Sequence, residues 1–305
     1  MYSHAVIIMI IQHHKTDTIR PNIMIEREQT CKTHHTARFF CAHRGRYGNF
    51  DDFEANKRMF RFLTEQGQNK KSSVVLVAGA NRGQSMMNIL TEAPDLTLHG
   101  FEIQEKEGRE AARVTQHYKN AVVHSQGWGE KKEKNIPIGG SGGLAGFYDP
   151  KRQRGWTLSG EIGETVRLDT WTKENHLEQV LFVLIDTEGY EPKVIRGMGL
   201  ELMENRKRFP CFQYELGGTW AREDNRHLRD KWGQFETAQY LESVGYKLFL
   251  VGADDWLPIN SEFFQVEDNP IAQDEGYGPF IQGNVLALHP DFAFPPLRDF
   301  IYGEK

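Results

Sequence analysis

Apolar and polar positions follow two rhythms along this chain, and the first clear change of rhythm falls at a glycine-bracketed turn. Val74 to Ala78 is an unbroken apolar run, as in a strand buried on both faces. Gly79 and Gly83 follow, and then Gln84, Ser85, Met86, Met87, Ile89 and Leu90 spread polar and apolar side chains at helical spacing. A strand is expected at 74–78 and a helix at 83–92. The pattern repeats with a strand at 96–101, a helix over 105–119 and a strand at 121–125. Residues 127–160 interrupt it with a Gly-rich, polar stretch that holds too few apolar positions for a core element and reads as an excursion of hairpins and loops over one edge of the site. Regularity returns with a strand at 164–168, a helix through DTWTKENHLEQV, a strand at 180–185 and a helix from 191 to 207. A strand at 211–216, a long amphipathic helix at 225–244 and a strand at 245–251 come next. An acidic, aromatic loop at 253–282 precedes a last strand at 284–289. Upstream, Asp51 to Gln66 carries a helical apolar rhythm stopped by Gly67, a covering helix ahead of the first strand.

Strands alternating with helices over short connections predict an α/β fold, a Rossmann-like and mostly parallel sheet with helices on both faces. The closing strands are joined by a loop, so they are expected to add an antiparallel pair. Residues 51–305 form one domain in this reading, with insertions at 127–160 and 253–282. Residues 1–50 show no periodicity and form a poorly ordered leader. That leader changes the charge picture: it holds seven Lys/Arg against three Asp/Glu, while the whole chain carries −5. The acidic body argues against a broad nucleic-acid surface, and a basic tail is most simply a solvated one.

Three cysteines, Cys31, Cys41 and Cys211, build no disulfide framework, which fits a reducing compartment. Ala5 to Ile11 is too short to span a membrane and has no basic n-region, so a cytoplasmic protein with no membrane span is expected. Cys31, His34, His35, Cys41 and His43 match no usual zinc-ligand spacing, so no metal is expected. The sequence leaves the oligomeric state open.

In an open α/β sheet, ligands bind beyond the carboxyl ends of the strands near the point where the strand order reverses. The residues to inspect are therefore Gly79 to Gly83, Glu102, Ser125 to Trp128, Asp186 to Gly189, and Glu215. A glycine turn entering a helix offers unpaired N–H groups to a phosphate or carboxylate. Glu102 ends the second strand about twenty residues later, where a carboxylate can accept from both hydroxyls of a ribose. The turn reads G-A-N-R-G and lacks the middle glycine of a dinucleotide site. That favours S-adenosylmethionine over NAD. Asp186 and Glu188 follow a buried strand directly, and Glu215 ends the next. Each could take a proton from an acceptor or orient it, and each could instead be a helix cap or a solvent-facing acid.

The segments VAGANRGQ, FEIQ, TVRLDTW, LIDTEGYEPKVIRGM and FQYEL resemble the FkbM-type family of S-adenosylmethionine-dependent methyltransferases over roughly residues 70 to 250. The segment D-x-E-G-Y-E-x-x-V-I-x-G is the most specific. The resemblance implies a class I methyltransferase fold of seven strands, the last antiparallel. It also implies O-methylation of a hydroxyl on a sugar, glycan or secondary metabolite. On that mapping Gly79, Ala80, Asn81, Gly83, Gln84, Glu102 and Ile103 contact the cofactor, and Ser125, Gln126, Gly127 and Trp128 lie where such folds place the adenine. Asp186, Glu188 and Glu215 face the acceptor. Two positions depart from the family pattern: Val77 stands where the family carries an acid, and Leu184 where it carries a lysine. These departures motivate a second reading, a catalytically silent binding module on the same fold.

Overall fold

In the computed structural model the described residues are 74–140, 146–147, 158–178, 180–200, 206–216, 233–251, 256–265 and 283–291. The leader, its cysteines and histidines, the 51–66 helix and most of the 253–282 loop lie outside them. The apolar run forms β1 (Val74–Ala78), with four of its five side chains buried. It pairs in parallel with β2 (Thr97–Phe101) on one side, and β2 pairs in parallel with β3 (Ala121–His124). On the other side β1 pairs in parallel with β8 (Phe182–Ile185), and β8 with β9 (Cys211–Leu216).

The sheet is completed by β10 (Lys247–Val251), β11 (Trp256–Ile259) and β12 (Gly283–Leu288). Its order is β11-β10-β12-β9-β8-β1-β2-β3. The last strand, β12, inserts between β9 and β10 and runs antiparallel to both. The fold is the expected one, a Rossmann-like, mostly parallel sheet whose last strand is antiparallel. Strand β11 was expected as loop. Pro258 lowers its strand signal, but among the described residues β11 is an edge strand paired with β10, where a proline is tolerated.

Helices cover both faces. One face packs Leu76 and Ala78 of β1 against α3 (Leu168–Glu174), α4 (Glu191–Gly197) and α5 (Gln234–Ser243), through Leu168, Val194, Ile195, Ala238 and Leu241. The other packs Val75 and Val77 against Met86, Ile89 and Leu90 of α1 (Gln84–Glu92). Beyond α1 lies α2 (Glu105–Thr115), the two meeting where Gly83 faces Ala111 and Val114. No helix among the described residues is long and apolar enough to cross a membrane.

The interruption after β3 is not loops alone. It contains β4 (Gly127–Trp128), β5 (Glu133–Gly139), β6 (Gly146–Phe147) and β7 (Leu158–Val166), in a second sheet of order β4-β7-β5-β6. The strand expected at 164–168 is the end of β7, which pairs antiparallel with β5. This small sheet is tied to the body. Arg196 of α4, almost fully buried, meets Glu130 at 2.7 Å, and Arg167 reaches the Glu130 carbonyl at 2.6 Å and the Asp169 carboxylate at 2.8 Å.

Candidate functional site

Strand order reverses between β1 and β8, so the crevice expected of such a sheet opens over the residues that follow those two strands. On the β1 side the hinge is locked by main-chain bonds: Gly79 N–H and Ala80 N–H both donate to the Phe101 carbonyl at 3.0 Å, and Gly83 N–H donates to the Ala80 carbonyl at 2.7 Å. Gly79 adopts φ +79°, and a Cβ there would lie 1.7 Å from the carbonyl oxygen of Asp186. The close approach that this glycine permits is therefore made by the chain itself. Gly83 serves packing, since a Cβ there would sit 2.7 Å from Val114 Cγ2 on α2.

Glu102 is where the sequence places it, beside the hinge. Its carboxylate is 5 % exposed and accepts Asn81 N–H at 2.7 Å and Gln104 N–H at 2.9 Å. Burial pushes its carboxyl upward, against the pull of those two amides and of the Gln104 side chain, a third donor. An ionised carboxylate can accept about four hydrogen bonds, so three donors leave room for one more. Arg82 pins the hinge to α2 through Glu107, at 2.7 Å.

Helix α1 begins at Gly83 with no side-chain cap and no acid in its first turn. Every other α-helix among the described residues carries an acid there: Glu105 and Glu107, Asp169, Glu191 and Glu236 respectively. The amides of Gln84, Ser85 and Met86 have no intrahelical acceptor by geometry, and the exposed Gln84 stands at that end.

The residues expected around an adenine divide. Ser125 is exposed, and Gln126 is turned to the Glu164 carboxylate. Gly127 opens β4. Ile103 packs into a notch left by Gly163 of β7, where a Cβ would lie 2.2 Å from its Cγ1. Trp128 belongs to the core: it is 2 % exposed, with its ring 4.6 Å from Phe101. Its Nε1 has no hydrogen-bond partner among the described residues.

Across the switch point the three acids singled out in the sequence come together. Asp186, Glu188 and Glu215 each place a carboxylate oxygen within 4.8 Å of the other two. Their chain positions explain the convergence. Asp186 N–H donates to the Ala78 carbonyl at 3.0 Å, extending the β1–β8 ladder, and Glu215 lies one residue past the pairing of Ile185 with Tyr214. Three hard oxygen donors, each half-buried, are the chemistry a divalent cation takes. They equally accept hydrogen bonds from hydroxyl groups.

Glu191 is the second glutamate of the D-x-E-G-Y-E segment and opens a helix, but it is not among the site residues that the sequence singles out. It is fully buried, and its Oε1 accepts Thr187 N–H at 2.7 Å and Thr187 Oγ1–H at 2.9 Å.

A scan against protein-family models finds no match, and no curated protein matches the chain. Several solved structures are similar. One is a fibrillarin pre-rRNA processing protein of Methanococcus jannaschii, at 14 % identity, 72 % of this chain, 67 % of that one and a TM-score of 0.36. The fibrillarin of Aeropyrum pernix, solved with natively bound S-adenosyl-L-methionine, is 11 % identical over 77 % of this chain and 76 % of its own, also at 0.36. The plantazolicin methyltransferase BpumL, solved with SAH, is 13 % identical over 88 % and 96 %, again at 0.36. Likenesses at this level carry no information about ligand or substrate.

Proposed function

We propose that this chain is an S-adenosylmethionine-dependent methyltransferase of the FkbM type, acting on a hydroxyl of a neutral sugar, glycan or secondary metabolite. The observation that supports this most is the meeting of Glu102 with the glycine hinge, its carboxylate held by the Asn81 amide and by Gln104 with one acceptor position to spare. That position would take a ribose hydroxyl. The uncapped start of α1 would take the methionine carboxylate, and the acids across the crevice suit a cofactor with a net positive charge. The residues present fit the group. Bound there, it would supply an electrophilic methyl.

On the acceptor side Asp186 or Glu188 takes the hydroxyl proton, and Glu215 orients the acceptor from the next strand. Three carboxylates within 4.8 Å favour an uncharged polyol, whose hydroxyls donate to them, over a phosphate-bearing nucleic acid, which they repel.

Calorimetry with S-adenosylmethionine tests the cofactor. Glu102→Gln is expected to weaken binding at least about tenfold, since hydrogen bonds to a charged group are worth about 1.5–3 kcal/mol. Binding that is equal in parent and variant removes the ribose assignment. A parent that binds the cofactor yet transfers no label to any hydroxyl acceptor supports the silent module, the reading that Val77 and Leu184 motivate.

A further inference from the structure

Between the two acids of the 186–190 turn sits a residue held from beneath. Thr187 gives both its amide and its hydroxyl to one oxygen of Glu191, at 2.7 and 2.9 Å. Glu191 is 0 % exposed, and its other oxygen, Oε2, has no hydrogen-bond partner among the described residues. The clamped turn is conformationally unusual. Glu188 adopts φ +55° and Gly189 φ +96°, so a non-glycine residue occupies the left-handed region next to a glycine that does so freely. Left-handed geometry at an L-residue costs about 1–2 kcal/mol, and it persists only where surroundings over-determine it. Three of the contacts that hold it are identifiable. Asp186 is fixed by its amide bond to Ala78, and Tyr190 N–H reaches the Thr187 carbonyl at 3.3 Å. Glu191 ties the middle of the turn to the first residue of α4.

We propose that Glu191 is a positioning residue: by gripping Thr187 it sets the turn that aims the Asp186 and Glu188 carboxylates at the acceptor. This inference rests on the function proposed above and adds a role to a residue that touches neither cofactor nor acceptor. The physical demand is stringent, because a displacement of about 1 Å at the reacting groups can cost on the order of a hundredfold in rate. Burial pushes the Glu191 carboxyl upward, as does the nearby Glu188. The clamp therefore needs an oxygen acceptor at this place rather than a charge, and a glutamine should serve.

The test compares the full chain with Glu191→Gln and Glu191→Ala by two measurements. Amide hydrogen exchange across 186–190 reads the clamp without any acceptor. Thr187 is expected to exchange slowly in the parent and in Glu191→Gln, and at least about tenfold faster in Glu191→Ala, with the amides of β1 and β8 unchanged. Methyl transfer from labelled S-adenosylmethionine to glycerol at high concentration reads the consequence. The kcat is expected to fall at least about tenfold in Glu191→Ala, with unchanged KM for the cofactor, and to be restored in Glu191→Gln. Equal exchange in all three forms overturns the inference, and so does Thr187 released in Glu191→Ala with transfer at the parent rate. A parent that neither binds the cofactor nor transfers the label sinks the functional reading instead, and the exchange result then still decides for or against the clamp.

Discussion

Replacing Gly79 by alanine tests how tightly the two halves of the crevice are joined. Two costs act on this substitution, and a second glycine separates them. Gly160 of β7 has φ +82°, nearly the +79° of Gly79, but a Cβ at Gly160 meets nothing within 4 Å. Gly160→Ala should therefore show the backbone cost alone, about 1–2 kcal/mol for the left-handed conformation. The lost freedom of the unfolded chain offsets that by about 0.4–1 kcal/mol. The net loss is about 1 kcal/mol. At Gly79 the new Cβ would lie 1.7 Å from the Asp186 carbonyl oxygen and 2.9 Å from its carbon. The obstacle is backbone and cannot rotate away, so the strand ends must separate by more than an ångström. Overpacking costs about 1–3 kcal/mol, occasionally more, and this case belongs at the upper end. The expected total is about 3–4 kcal/mol, against a stability of order 5–15 kcal/mol for a domain, so the variant still folds. Urea unfolding followed by tryptophan fluorescence gives both values. If Gly79→Ala loses no more than Gly160→Ala, the contact between hinge and Asp186 does not constrain the fold, and the coupling inferred from it is wrong.

Two further outcomes are expected. His99 and His124, on adjacent strands, share a hydrogen bond of 3.0 Å, and burial with the neighbouring His99 lowers the His124 pKa to about 4. Its folded value lies below the unfolded one near 6.5, so the unfolded chain binds the extra proton first. Stability should fall as the pH drops from about 6.5 toward 4, by about 1 kcal/mol after discounting for partial exposure. His124→Phe should flatten that limb of the urea-derived pH profile; an unchanged limb refutes the assignment. Separately, Val77→Asp and Leu184→Lys should each destabilise by about 3–5 kcal/mol as uncompensated buried charges, with the double variant recovering more than about 1 kcal/mol of the summed loss. Strict additivity in that cycle would show that the two side chains do not face one another.

The parts of the molecule that were legible are those in which burial and periodicity agree. Val74–Ala78, Phe182–Ile185 and Cys211–Leu216 are apolar enough to announce strands, and the acids after them follow from where a parallel sheet ends. The second sheet is legible only as hairpins without strand bounds, because burial does not build it. Strand β7 leaves Leu158 and Ile162 at 57 % and 66 % exposure and uses Gly163 to admit Ile103, so its apolar positions trace no buried face. It exists through its ladder with β5. Trp128 differs in the opposite sense. The resemblance places it near the adenine, yet its ring packs on Phe101 of the core. In the sequence Glu191 belongs to the D-x-E-G-Y-E segment and to a helix start, and neither assigns it a role. A glutamate that reaches back four residues to a threonine is a signal that spacing could have suggested, but it becomes visible once the left-handed turn between them is known.

The two departures from the family pattern bear on whether catalysis survives, and the register decides how to weigh them. Val77 and Leu184 are direct partners across β1 and β8. Both are buried, at 0 % and 6 % exposure, in the apolar cluster beneath α1. An acid at the first position opposite a lysine at the second would be a charge pair across two strands, below the crevice floor. Exchanging such a pair for two apolar side chains of matching size is often neutral or stabilising, whereas losing one member alone is costly. An apolar pair at these two positions therefore leaves no unpaired charge beneath the site. The groups proposed to hold cofactor and acceptor, Glu102 on one side of the switch point and Asp186, Glu188 and Glu215 on the other, are all present above it. The β1–β8 ladder, the Asp186 N–H bond to Ala78 and the close approach of Gly79 to the Asp186 carbonyl join these halves, so position 79 has two reasons to be glycine, the stability of the fold and the placement of the acid opposite. Comparing the effect of Gly79→Ala on methyl transfer with its effect on unfolding distinguishes those two reasons.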